Sequence, residues 1–190
     1  MSRFKIIPAL IAGILVLAGC ASNANEAAPV TDFLTDNDLG GKTTTQIIDH
    51  LDQLGGEARP TNYMASIRAD ELLFITEDAE YEMEMPADEF YVSIAPFREE
   101  THPCTFHSLT TCQGELTGED FQVKVVDDAG TVILDEARTS FENGFIGLWL
   151  PRDISGTIEI TDSAGESGVV EFTTDASGAT CITTLQLTAA

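Results

Sequence analysis

Apolar and polar positions change rhythm along this chain, and each change marks a different kind of structure. Ile6 to Leu17 is a mostly apolar run, interrupted only by Pro8 and Gly13. Ala21 to Asp36 is small, polar and loosely patterned, so residues 20–36 read as a tether. A helical rhythm follows. Ile47, Ile48, Leu51 and Leu54 share one face, Thr43 or Thr44 can cap its start, and Gly55-Gly56 ends it. Met64 to Thr76 fits a short helix or a strand, with Glu71 to Thr76 leaning to strand. Beyond it the period becomes two. Tyr81 to Met85 alternates and puts Met83 and Met85 on one strand face, and Phe90 to Phe97 is a strand. Phe121 to Val126 and Thr131 to Leu134 flank an Asp127-Asp128-Ala129-Gly130 turn, a hairpin pattern. Phe145 to Leu150 stops at Pro151, residues 156–161 and 169–173 are joined through Asp162 to Gly165, and Thr180 to Leu187 forms the last strand. Strands recurring at roughly ten-residue spacing suggest an antiparallel sandwich. The expected class is mainly β (α+β), with a β-sandwich-like C-terminal domain over 81–190 and a small helical N-terminal module over 37–80.

The first apolar run is too short for a comfortable membrane span of about 20 residues. It follows Arg3 and Lys5 and ends in Leu17-Ala18-Gly19-Cys20. That is the pattern of a secretion signal with a lipobox, residues 1–19, cleaved before a lipidated Cys20. The protein is therefore expected outside the cytoplasm, anchored to a membrane through its N-terminal lipid.

Cleavage also changes the charge and the thiol count. The whole chain carries −23, and losing Arg3 and Lys5 makes the mature charge −25. Such a surface repels nucleic acid and anionic headgroups and attracts cations without selecting among them. Of four cysteines, acylation of Cys20 leaves Cys104, Cys112 and Cys181. An odd number in an oxidising compartment leaves one thiol outside any intramolecular disulfide, available for metal binding, redox exchange or an intermolecular bridge.

The chemistry concentrates in one segment, Thr101 to Leu116, where His102, Cys104, His107 and Cys112 fall together, with Cys181 distant in sequence. Thiolates and imidazoles are the donors that Cu(I) and Zn(II) prefer. Spacing alone leaves two readings open. Cys104 and Cys112 can form a local disulfide worth about 2.5 kcal/mol on the chain-entropy model, or they can join Cys181 and an imidazole around an ion. Two thiolates can also deliver two electrons to two Cu(II) ions, forming a disulfide without enzymatic turnover.

His102-Pro103-Cys104 through Leu116 resembles the signature of the CueP family of exported copper-binding proteins. Asn143-Gly144-Phe145-Ile146, Leu148 to Arg152 and Thr180 to Leu187 follow in matching order. The resemblance covers about residues 85–187. It implies copper tolerance as the role, 81–190 as the copper-binding domain, and Cys104, Cys112 and Cys181 as the copper thiolates. It makes His102 and His107 accessory ligands or proton acceptors, and a copper-accepting or copper-exporting protein the partner. It also suggests dimer formation through the N-terminal part. The lipid anchor departs from the soluble periplasmic members and points to work at a membrane face.

Two other classes compete with a copper carrier. One is a thiol–disulfide protein cycling Cys104 and Cys112 with Cys181 resolving, though no Cys-x-x-Cys is present. The other is an inert sandwich with one staple. No nucleophile elbow, phosphate loop or zinc-protease helix motif is found, so a hydrolytic enzyme is not expected. Met83, Met85 and Trp149 read first as core, Glu115 as a solvated carboxylate or a histidine-orienting partner, and His50 as solvent-facing.

Overall fold

The computed structural model describes residues 27–189; the signal, the lipobox and Cys20 lie outside the described residues. Helix α1 (Ala27–Asp36) and helix α2 (Thr44–Asp52) precede ten strands: β1 (Met64–Ile67), β2 (Glu71–Ile75), β3 (Glu80–Glu84), β4 (Glu89–Ile94), β5 (Asp120–Asp127), β6 (Val132–Thr139), β7 (Ile146–Pro151), β8 (Ser155–Asp162), β9 (Ser167–Thr173) and β10 (Cys181–Ile182). They form three sheets, ordered β1-β2-β3, β10-β4-β7 and β6-β5-β8-β9.

The middle sheet is covered on both faces. Phe90, Val92 and Ile94 alternate onto one face and pack with Ile146, Leu148 and Leu150 of β7 against Phe121, Val123, Val125, Ile158 and Ile160 of the four-stranded sheet. That is the expected sandwich. Tyr91 and Ser93 take the opposite face. There Tyr91 joins a second core with Ile47, Ile48 and Leu51 of α2, Phe74 of β2 and Phe33 of α1.

Two expectations are corrected and one open reading is resolved. The tether does not extend to residue 36: residues 27–36 are helical, and Phe33 packs its ring 4.6 Å from Tyr81 and 5.0 Å from Phe74. Burying one such ring is worth about 1.5–3 kcal/mol, enough to override a weak local pattern. The ambiguous Met64 to Thr76 stretch is a strand hairpin, with Met64 opposite Ile75 and Ile67 opposite Leu72. The boundary at 80/81 falls inside a sheet, because β2 pairs with β3 across it, Phe74 opposite Tyr81. The second core also takes in Leu109, so the N-terminal helices and the β-rich part share one interior.

The helix start matches its reading. Thr43 Oγ1 accepts from the Gln46 backbone N–H at 3.3 Å and Gln46 Oε1 accepts from the Thr43 N–H at 3.0 Å, a reciprocal capping box. The last strand is shorter than expected and departs from the antiparallel rule: β10 pairs parallel to β4, Cys181 beside Ser93. Met85 is buried and Met83 packs against the second core, as core residues. Trp149 donates to Asp49 at 2.9 Å and stacks obliquely on Tyr91.

Candidate metal centre

The long connection from β4 to β5 carries His102, Cys104, His107 and Cys112, and several ties hold it in shape. Glu115 accepts the backbone N–H groups of Arg98 at 2.7 Å, Glu99 at 3.1 Å and Glu100 at 3.4 Å. It therefore anchors the start of the loop and orients no histidine. Arg98 in turn bonds Asp162, Glu166 and Glu119. Thr101 Oγ1 donates to the Thr183 carbonyl, and Thr183 Oγ1 donates to the His102 carbonyl at 2.6 Å. The Thr180 and Cys181 N–H groups donate to the Thr105 carbonyl at 3.0 and 3.2 Å. These bonds lace the Cys104 segment to β10 and bring Cys181 across 77 residues of sequence.

Cys104 and Cys181 are joined in a disulfide, with their Cα atoms 5.7 Å apart. This corrects the local-staple reading: Cys104 does not pair with Cys112. Among the described residues Cys112 is the free cysteine, and it is buried. Its Sγ still lies 3.6 Å from Cys104 Sγ. All three sulfurs therefore share one small apolar pocket, closed by Phe145 and Ala95.

Both histidines of the segment reach this cluster. His102, Cys104 and Cys112 have donor atoms within 4.8 Å of one another, and so do His107, Cys112 and Cys181. Cys112 belongs to both sets. His102 is half-buried, whereas His107 is fully buried. The Phe145 ring meets both, 4.5 Å from the His107 ring and 6.4 Å from that of His102. His50 is exposed on α2 and takes no part.

The residue that sequence reasoning missed is Asp52. It is fully buried at the end of α2, with Oδ1 2.6 Å from His107 Nε2. Tyr91 donates to its Oδ2 at 2.6 Å, Ser93 at 2.9 Å, and Asn143 Nδ2 donates to Oδ1 at 2.9 Å. A signal was present. Asp52 stands four residues after Ile48 and next to Leu51, on the apolar side of the helix, where an acid needs partners.

Asp52, His107 and Cys112 are electrostatically coupled. Burial works against a charged His107, but the Asp52 charge and hydrogen bond, helped by Cys112, outweigh it and hold His107 up at about 9. Burial likewise opposes ionisation of Cys112, yet the neighbouring His107 and the Ser108 N–H lower its thiol pKa. Asp52 is lowered too, because His107 and the two hydroxyls overcome its desolvation. The His107 contribution to stability is complete below its unfolded value of about 6.5 and lost as pH rises through about 9. The Asp52 contribution is present above its ordinary value and lost as pH falls through its folded one. An NMR titration of the His107 ring should therefore show protonation persisting to about pH 9. A midpoint near 6.5 would contradict the buried ion pair.

Glycine permits one close approach behind the pocket. Gly144 has φ 79°, and a Cβ there would lie 2.7 Å from the Gly114 backbone. Gly114 N–H donates to the Asn143 carbonyl at 2.7 Å, and the Phe145 N–H to Asn143 Oδ1 at 2.8 Å. Gly144→Ala should thus destabilise by about 2–3 kcal/mol and displace the Cys112 segment from Phe145. Urea denaturation would show the first effect, and a loss below 0.5 kcal/mol would refute it.

The site fits a soft metal ion by its own chemistry. His107 Nδ1 is buried without a hydrogen bond, and Nε2 is taken by Asp52, so once the ring gives up a proton to an incoming ion, Nδ1 is the nitrogen left to offer. Reduction of Cys104–Cys181 would add two thiolates beside Cys112, a donor set suited to Cu(I) or Zn(II). Among the described residues no helix is long and apolar enough to cross a membrane.

Comparison with known proteins agrees. The family described as "Periplasmic copper-binding protein CueP" matches residues 46–186. The structure titled "Crystal Structure of S.CueP" is similar with a TM-score of 0.79 and 41% identity, over 84% of this chain and 97% of that one. No curated protein sequence matches. The match spans most of the chain and all five Cys and His positions of the site, and on that ground the chain belongs to the CueP family of periplasmic copper-binding proteins.

Proposed function

We propose that this protein is a lipid-anchored extracytoplasmic copper buffer and carrier. It holds Cu(I) through Cys104, Cys112 and Cys181, with His102 and His107 as accessory donors, and contributes to copper tolerance. One observation carries the reading. Three sulfurs from two distant segments meet in a single pocket flanked by two imidazoles. Cys20 is the lipidation site, and the partner is a copper-accepting or copper-exporting protein. Zn(II) is the alternative ion.

Stoichiometric reduction of Cu(II) belongs to the same reading. Two thiolates, Cys104 and Cys181, give up one electron each to two Cu(II) ions. The products are two Cu(I) ions and the Cys104–Cys181 bond. No catalytic turnover is involved, so the protein is not an enzyme.

The test is a Cu(I) competition titration of the reduced domain starting after Cys20, against a calibrated chelator, beside Cys181→Ser. Tight binding of about one Cu(I) per chain that collapses in the variant is expected. Equal affinity in both would refute the three-thiolate site. A second reading, thiol–disulfide exchange, is favoured by Cys112 standing 3.6 Å from a disulfide sulfur. It would show as a mixed disulfide with a client protein and negligible copper binding.

A further inference from the structure

We propose that Asp52 is the positioning residue of the metal centre: it occupies Nε2 of His107 and so commits Nδ1 to the sulfur cluster. The proposal deepens the copper reading and rests on it for its ligand, Cu(I). Three features carry it. Asp52 Oδ1 sits 2.6 Å from His107 Nε2. The opposite ring nitrogen, Nδ1, is buried and makes no hydrogen bond. A ring nitrogen of His107 lies within 4.8 Å of the Cys112 and Cys181 sulfurs.

The carboxylate is itself immobilised from separate elements. Tyr91 and Ser93 on β4 donate to Oδ2, and Asn143, in the connection before β7, donates to Oδ1 and to the Asp52 carbonyl. An acid bonded on both oxygens cannot follow the ring if it turns. A metal-bound histidine whose far nitrogen is held by a carboxylate keeps one orientation, and loss of such a partner costs about 10–100-fold in metal affinity. The arrangement joins α2 to the site. It gives a residue distant from the Cys/His segment a role in choosing which nitrogen meets the ion.

The experiment uses the reduced domain starting after Cys20, with 15N-labelled histidine and Ag(I) as a redox-silent stand-in for Cu(I). Wild type is compared with Asp52→Asn and Asp52→Leu. In wild type, silver should ligate His107 through Nδ1 while Nε2 keeps its proton. Asp52→Asn retains an acceptor for that proton, so Nδ1 ligation should persist with affinity changed by less than about tenfold. Asp52→Leu should weaken binding by about 10–100-fold and let both nitrogens be populated. Ligation through Nε2 in wild type would overturn the proposal, as would a folded Asp52→Leu protein with Nδ1 ligation at wild-type affinity. If Asp52→Leu does not fold, Asp52→Asn still decides, since a switch to Nε2 there would be fatal. The tautomer of the metal-free ring, read by 15N NMR at a pH where the titration itself shows the ring to be neutral, gives an independent reading. A proton on Nε2 supports the orienting role, and a proton on Nδ1 overturns it. Absence of silver binding alongside an Nε2–H ring would refute the copper reading and leave the orienting role of Asp52 standing.

Discussion

Cys112→Ser is expected to remove high-affinity Cu(I) binding from the reduced protein, with a fall of at least about 100-fold. Loss of an outer partner costs about 10–100-fold, and loss of a thiolate ligand costs more. Geometry makes Cys112 the most sensitive of the three thiols, because it alone belongs to both donor sets, with His102 and Cys104 and with His107 and Cys181. A Ser hydroxyl is a hard, protonated donor at neutral pH and does not replace a soft thiolate for Cu(I). The change should leave the fold in place: the Cys104–Cys181 disulfide is untouched, and sulfur to oxygen is a small change of volume. Chelator competition reads the affinity, and denaturation of the oxidised form checks the fold. A folded Cys112→Ser protein with wild-type Cu(I) affinity would remove the sulfur cluster from consideration as the copper site.

Reduction of the Cys104–Cys181 disulfide should lower the stability of the metal-free protein by about 2–4 kcal/mol, and Cu(I) should restore much of it. The bond spans a sequence separation of 77 residues, so on the chain-entropy model its upper contribution is about 4.5 kcal/mol. Cu(I) held by the two liberated thiolates would link the same segments. Free Cu(I) buffered at about 1,000 times Kd stabilises by about 4 kcal/mol through linkage alone. The two states thus trade one cross-link for another of similar size. Urea denaturation of oxidised, reduced and reduced Cu(I)-loaded protein would show the pattern. Equal stability of the reduced form with and without Cu(I) would refute the cross-linking role.

Periodicity made the sandwich legible. Alternation in Phe121 to Val126 and in Phe90 to Ile94 requires half-buried or buried strands, and both exist. It could not reveal that β4 is covered on its second face, because Tyr91 and Ser93 look polar until Asp52 stands opposite them. Nor could it place α1, since the helix is held chiefly by the rings that meet Phe33.

The site divides in the same way. Residue types and spacing singled out Cys104, Cys112, His102 and His107 as candidates, since soft donors crowded into one segment are chemically unusual, and the odd thiol count and the family resemblance added Cys181. The pairing of sulfurs was outside their reach. A local loop between Cys104 and Cys112 is the cheaper one to close, by entropy that grows with loop length. The bond instead joins Cys104 to Cys181, and hydrogen bonds from Thr180, Cys181 and Thr183 hold that strand alongside the Cys104 segment.

By itself, the sequence determined which chemistry this protein can perform: the donor atoms, the alternating strands, the acidic surface and the family blocks are all local properties of residues and their order. Only the tertiary structure decided how those donors are used. It placed Cys112 between two histidines, left Cys104 and Cys181 as the bonded pair, and set Asp52 behind His107. The physical reason is that ligand geometry, burial and charge coupling depend on distances across the fold, and residues such as Asp52 and His107, 55 positions apart, acquire a distance only when the chain has packed.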